Sequence, residues 1–215
     1  MSNRSYDQLL DDIRARICLA PPDLPFVLHE NQLASEFGLS RTPVRQALQR
    51  IELEGMVEVR TGVGTVATQL DPRDRTLAFE VYRELAAAAA SCAHGDPIAD
   101  EVKVELAGLH GVLTMQNHRS AQTYVKTFGQ IANAMAMLVR DEILRRALLT
   151  AHWRIVRWRV RDFHAEPDET WQSLVGNMQR IVDVLPMDDA AYVLRTAAGI
   201  SSGFVRPQPT ETAAP

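Results

Sequence analysis

Between Ser40 and Thr68 the chain changes its hydrophobic period, and this change limits the possible folds more than any other feature. Val44, Ala47, Leu48 and Ile51 recur at helical spacing, whereas Met56–Arg60 and Thr65–Thr68 read as extended segments on either side of Thr61-Gly62-Val63-Gly64. Upstream, Leu9, Leu10, Ile13 and Ile17 form the apolar stripe of a helix over about Tyr6–Cys18. Asp11, Asp12, Arg14 and Arg16 are expected to face outward from it, and Pro21-Pro22 stops it. A second helix starts near His29-Glu30, includes Leu33, Ala34 and Phe37, and ends at Gly38. Ser40 is expected to cap a third, with Pro43 in its first turn, where a backbone N–H has no intrahelical partner. Three helices and then a β-hairpin predict a winged helix-turn-helix.

Past this unit the pattern is helical throughout. Asp71-Pro72-Arg73-Asp74-Arg75 reads as a charged connector. Helical periodicity then runs over 77–94, 99–116, 121–138, 142–163, 169–185 and 188–201, with Asp188 as the expected N-cap of the last segment. The expected fold is mainly α, a winged helix-turn-helix joined to an all-α antiparallel bundle. Its divisions are a winged-helix domain at 1–70, a linker at 71–75, an all-helical domain at 76–205, and a disordered Pro/Thr/Ala-rich tail at 206–215. Met115, Met135, Met137, Met178 and Met187 are expected to fill core gaps.

Several function classes are disfavoured. No apolar run approaches a membrane span, and the polar start lacks a secretory h-region. Cys18 and Cys92 stand far apart without CxxC spacing, so neither a disulfide framework nor a zinc site is expected, and a cytoplasmic location fits. The chain has no P-loop, GxSxG or HExxH motif, and its acidic pairs read as local charge runs, so no enzyme is expected. The net charge of −4 neither supports nor opposes nucleic-acid binding, because a reading module needs only a few cations on one face.

Those cations are at hand. Ser40-Arg41-Thr42-Pro43-Val44-Arg45 places guanidiniums and hydroxyls at the start of the third helix, an end that already attracts phosphate. Arg41 and Arg45 lie four apart and share a face opposite Val44 and Leu48. The candidate DNA-binding set is Ser40, Arg41, Thr42, Arg45 and Arg50, together with Gly62 and Gly64 of the wing.

Residues 28–66 resemble the N-terminal module of the GntR family of transcription regulators. The resemblance rests on Glu30, Leu33-Ala34, Gly38, Ser40 through Arg45, Ala47-Leu48, Glu54-Gly55 and the Gly62/Gly64 wing. It implies DNA contacts by Arg41, Thr42 and Arg45. One departure is Asn31, where the family often has an arginine that helps bind DNA. The helical remainder resembles the FadR-type (FCD-like) subfamily through Phe79–Leu85 and the alanine-rich stretch after it. In many such domains an Asp and three His bind a divalent metal. By the same resemblance Val125, Gly129, Asn177 and Gly199 stand at those positions here, so no metal and no other cofactor is expected.

In place of a metal, Arg154, Arg157, Trp158 and Arg161 share one helical face and form a candidate anion-binding wall. Arg83 and Asn177 complete the candidate effector set. The competing reading of these arginines is a solvated surface paired with nearby acids. The expected protein is a homodimeric, ligand-responsive repressor that reads a short palindrome in double-stranded DNA, with a small organic acid or acyl effector. In the alternative, the bundle has lost its ligand and serves only dimerisation or partner binding.

Overall fold

A computed structural model describes residues 3–21, 24–116 and 119–202. The expected tail at 206–215 lies outside the described residues, as does His118. Helix α1 (Asn3–Leu19) is followed by a short strand β1 (Val27–Leu28), helices α2 (Glu30–Glu36) and α3 (Arg41–Leu53), and the hairpin β2 (Val57–Arg60) and β3 (Gly64–Ala67). Ile13 and Ile51 are completely buried, each burial contributing roughly 2 kcal/mol. Leu9, Ile17, Leu33, Val44, Ala47 and Leu48 are buried in the same core.

The turn between α2 and α3 closes on Gly38, whose φ of 62° a side chain would strain, and Leu39 N–H donates to the Ala34 carbonyl at 2.9 Å. Strand β1 adds to the hairpin in the antiparallel order β1-β3-β2, with Val27 opposite Val66. At two residues β1 is too short to show a period, so sequence patterning had not separated it from the loop.

A 3-10 turn (Pro72–Asp74), its backbone accepted by the Asp71 side chain, leads into the bundle. Arg75 of the expected linker is already helical. The bundle comprises α4 (Arg75–Cys92), α5 (Asp100–Met115), α6 (Ala121–Met137), α7 (Glu142–Ala165), α8 (Pro167–Val184) and α9 (Ala190–Ser202). Helix α8 starts at Pro167, earlier than periodicity indicated, because proline is pre-set for the first helical position.

The cap of α9 is also displaced. Asp189, not Asp188, accepts the Ala191 N–H at 2.8 Å. Asp188 sits in the left-handed region at φ 49° and instead accepts from Ile98 N–H and pairs with Lys103 at 2.8 Å. Of the methionines expected in the core, Met135 and Met178 are buried, but Met115, Met137 and Met187 are exposed. Each of these three lies at or beside the end of its helical segment, where neighbouring helices no longer cover the side chain.

Helix α7 is the centre of the packing. It touches α4, α6 and α8 in the bundle and α1 of the winged module. Because it is surrounded, it buries residues around much of its circumference, among them Trp153, Val156, Trp158, Arg159 and Val160. Helix α1 is likewise covered on two sides, by α3 and by α6 and α7. Arg14, expected to face solvent, is therefore 3% exposed, and its guanidinium meets Glu54 at 2.5 and 2.9 Å and Asp11 at 2.9 Å. Its charge also lies 5.7 Å from the Trp153 ring, inside the range of cation–π attraction.

Candidate nucleic-acid interface

The start of α3 is an exposed polar surface. Ser40, Arg41, Thr42 and Arg45 are all exposed, while Val44, Ala47 and Leu48 turn into the core. Ser40 occupies the N-cap position, but its hydroxyl makes no capping bond, contrary to expectation. A cap normally accepts from the second or third helical N–H, and the third residue here is Pro43, which has none. The hydroxyl and the first helical N–H groups are thus left to meet an anion from outside.

Arg45 reaches across to Glu30 of α2 at 3.2–3.3 Å, and this hydrogen bond raises its pKa. Arg41 makes no ion pair among the described residues. Gln46 and Gln49, not singled out from the sequence, are also exposed on α3, with Gln49 one turn on from Arg45. Their helical spacing was the signal that could have found them, and their amides can read base edges.

Arg50 does not join this face. It lies on the opposite side of α3, where Nε donates to Glu54 Oε1 at 3.2 Å, beside the buried Arg14 pair. The wing ends in a turn with Gly62 at φ 77° and Gly64 at φ 115°, and it presents Val63, half exposed, with Arg60 paired to Glu58. Asn31 is exposed on α2.

The six effector candidates do not converge. Arg83, on α4, bonds to its neighbour Glu84 at 2.7 Å. Asn177 is buried on α8, and Trp158 is buried with the Arg75 guanidinium 6.0 Å from its ring. Arg154 is half-buried. Of the six, Arg157 and Arg161 line a common cavity, at the junction of the winged module and the bundle. The face shared by Arg154, Arg157, Trp158 and Arg161 therefore splits among several neighbours, because α7 is enclosed by different elements along its length.

The bundle interior holds polar groups that periodicity had not identified. Arg159 is 4% exposed, with its guanidinium 5.3 Å from the Phe79 ring, and burial pulls its pKa down to about 10. Arg75 pairs with Asp162 through two bonds of 2.8 and 2.9 Å. His152 packs against Tyr82 and Phe128, and its buried Nε2 has no hydrogen-bond partner. Desolvation holds its pKa down to about 4, with the Phe128 backbone acting in the opposite direction.

His152 is consequently neutral in the folded chain at pH values where the unfolded chain protonates it. Stability should be unaffected by this group above about pH 7 and should fall as pH drops through the unfolded value of about 6.5. By pH 4 the loss should reach about 3 kcal/mol. Urea unfolding of the parent and of His152→Gln at pH 7 and pH 4 measures it: equal acid losses in the two proteins would show that this histidine is not responsible.

The positions matched by resemblance to a metal site do not fit a metal. Val125 is completely buried and offers no ligand atom. A Cβ on Gly129 would stand 3.0–3.1 Å from the Trp153 indole, which fills the space beside it. Among the described residues no group of three or more His, Cys, Asp or Glu could hold a metal ion. Nor, among them, is any helix long and apolar enough to cross a membrane.

Residues 2–66 match the model of the gntR family of bacterial regulatory proteins. An uncharacterized HTH-type transcriptional regulator from the TAR-I ttuE-ttuC' intergenic region of Agrobacterium vitis is 37% identical over 87 residues, 40% of this chain and 48% of that protein. The Exu regulon transcriptional regulator of Escherichia coli K12 is 39% identical over 79 residues, 35% of this chain and 30% of that protein. The chain thus spans half or less of the length of these curated relatives, which are regulators rather than enzymes. Across the whole fold, E. coli McbR/YncC superposes with a TM-score of 0.71 at 18% identity, covering 93% of this chain and 94% of that one.

Proposed function

We propose that this chain is a cytoplasmic transcription regulator of the GntR type that reads a short palindromic site in double-stranded DNA as a homodimer. The observation that carries the reading is the exposed start of α3, where Arg41, Thr42, Arg45 and an uncommitted Ser40 hydroxyl surround the open N–H groups of a helix packed on α1 and α2. The gntR match over residues 2–66 supports it. Arg45 enters the complex by exchanging its Glu30 partner for phosphate or a base edge, and the wing, with Gly62 and Gly64 at its turn, approaches the backbone. In this reading the bundle supplies dimerisation and response to an effector, so that the protein is a ligand-responsive repressor or activator.

A second reading keeps the DNA-binding dimer but denies the bundle interior a ligand. The Trp153 indole seated against Gly129 favours it, since that space is already filled. Both readings are tested by selecting duplexes from a random pool with the full chain. Enrichment of an inverted repeat, with affinity falling steeply as salt rises, is the expected result. A pool that returns no preferred sequence would defeat the regulator reading.

A further inference from the structure

The junction between the winged module and the bundle holds a partly open cavity of about 130 Å³, bounded by Ile17 and Cys18 of α1, by Phe26 and Leu70, and by Arg157 and Val160 of α7. Its size is close to the ~150 Å³ apolar cavity that accepts a benzene ring. The wall is mostly apolar, with Thr68, Gln69, Arg161, His164 and Arg157 as its polar members, and Arg157 is the more buried of its two arginines. Its guanidinium donates to Thr68 Oγ1 at 2.9 Å and to the Thr68 backbone carbonyl. No carboxylate among the described residues pairs with it. Burial lowers its pKa, and Cys18 is the group that offsets this. A guanidinium desolvated against neutral acceptors is under-compensated, and a carboxylate would supply the charged, bidentate partner it lacks.

We propose that this junction cavity binds a small carboxylic acid with an apolar body of about ring size, its carboxylate on Arg157 and its body against Ile17, Cys18 and Val160. Arg161, exposed on the next turn of α7, lines the same cavity and gives its rim a positive charge. The site differs from the bundle interior, where Trp153 occupies the space beside Gly129.

Occupancy reaches the reading helix through bonded groups. Thr68 Oγ1 donates to the Gly55 carbonyl at 2.9 Å, and Thr68 N–H donates to the Met56 carbonyl at 3.0 Å. Gly55 directly follows Glu54, the residue at the end of α3. A bound carboxylate competes with Thr68 for the Arg157 guanidinium, so the link between the two modules passes through the ligand instead of running directly. This coupling rests on the DNA reading proposed above; the binding itself does not.

The test is calorimetric titration of the full chain with benzoate in the absence of DNA. Saturable binding is expected, with benzamide, the uncharged analogue, weaker by about tenfold or more. Arg157→Gln should weaken benzoate by a similar factor. Cys18→Met, which fills the cavity from the α1 wall and keeps Arg157 in place, should abolish binding. Because Arg157→Gln removes a link between modules, Cys18→Met with an unchanged unfolding midpoint carries the test if that variant fails to fold. No benzoate binding by the parent, equal affinity for benzamide, or undiminished binding by Cys18→Met overturns the site. With a duplex selected by the ligand-free parent, saturating benzoate should shift duplex affinity in the parent and not in Cys18→Met. An unshifted affinity in the parent overturns the coupling alone, whereas a failure of the DNA reading shows separately, as no duplex selected without ligand.

Discussion

Replacing Arg41 and Arg45 together by alanine should weaken binding to the selected duplex by about a hundredfold or more, while leaving the unfolding midpoint near that of the parent. Each arginine contact with a base or phosphate is worth roughly 1–3 kcal/mol, and losing two of them corresponds to that factor. The fold should tolerate the change, because both side chains are exposed and neither contributes to the Val44–Leu48 core. The two single variants should differ. Arg41→Ala removes a cation that has no ion pair among the described residues. Arg45→Ala also leaves the Glu30 carboxylate without its partner at the start of α2, facing incoming phosphate. Its loss should therefore be the larger, and adding Glu30→Gln should recover part of it. The dependence of affinity on salt should flatten by about one counterion for each phosphate contact removed. Filter binding or fluorescence anisotropy at several salt concentrations reads both quantities, and a double variant that binds as the parent does would remove α3 from the interface.

The second large effect belongs to stability. Glu54→Ala should destabilise the chain by about 3–5 kcal/mol, because it leaves the Arg14 guanidinium buried without its bidentate carboxylate. For a chain of this size such a loss corresponds to roughly 10 °C in Tm. Water cannot readily replace the carboxylate at a guanidinium only 3% exposed, and the remaining acid, Asp11, contacts a single nitrogen. The combined variant Arg14→Met with Glu54→Leu should regain much of the loss, since it removes both buried charges and keeps apolar volume. Thermal and urea unfolding decide the matter. A Glu54→Ala protein within about 1 kcal/mol of the parent would mean that solvent reaches Arg14 and that the pair is not structurally important.

This pair also shows where sequence reasoning stops. The apolar stripe of α1 was legible because Leu9, Leu10, Ile13 and Ile17 repeat at helical spacing. The burial of Arg14 was not, because the covering surface comes from α6 and α7, more than a hundred residues away. Local periodicity identifies one buried face and assigns the rest to solvent. For α1 and α7, each packed on more than one side, that assignment fails. The same limit explains the basic run of α7. Arg154, Arg157, Trp158 and Arg161 were grouped by angle around the helix, but the structure divides them: Arg157 and Arg161 line the junction cavity, whereas Trp158 is buried beside Arg75. Arg159, off that face, is the arginine of α7 driven deepest.

The local geometry at the start of α3 and at the hairpin was more legible, because its determinants are local. Ser40 through Arg45, the Gly38 turn and the Gly62/Gly64 hairpin are short-range features in which backbone preference and side-chain spacing agree. Even there, Pro43 removes one of the two N–H groups that a Ser40 cap could have engaged, and the hydroxyl makes no capping bond.

By itself, then, the order of residues determined the helices, the hairpin, the turn glycines and the pair of arginines at the start of α3. Each depends on interactions within a few residues along the chain. Tertiary structure alone decided the burial of Arg14 against Glu54, the filling of the space beside Gly129 by Trp153, and the cavity in which Arg157 meets Thr68. These depend on which surfaces close over one another. Desolvation by a distant element leaves no periodic trace in the residues it covers.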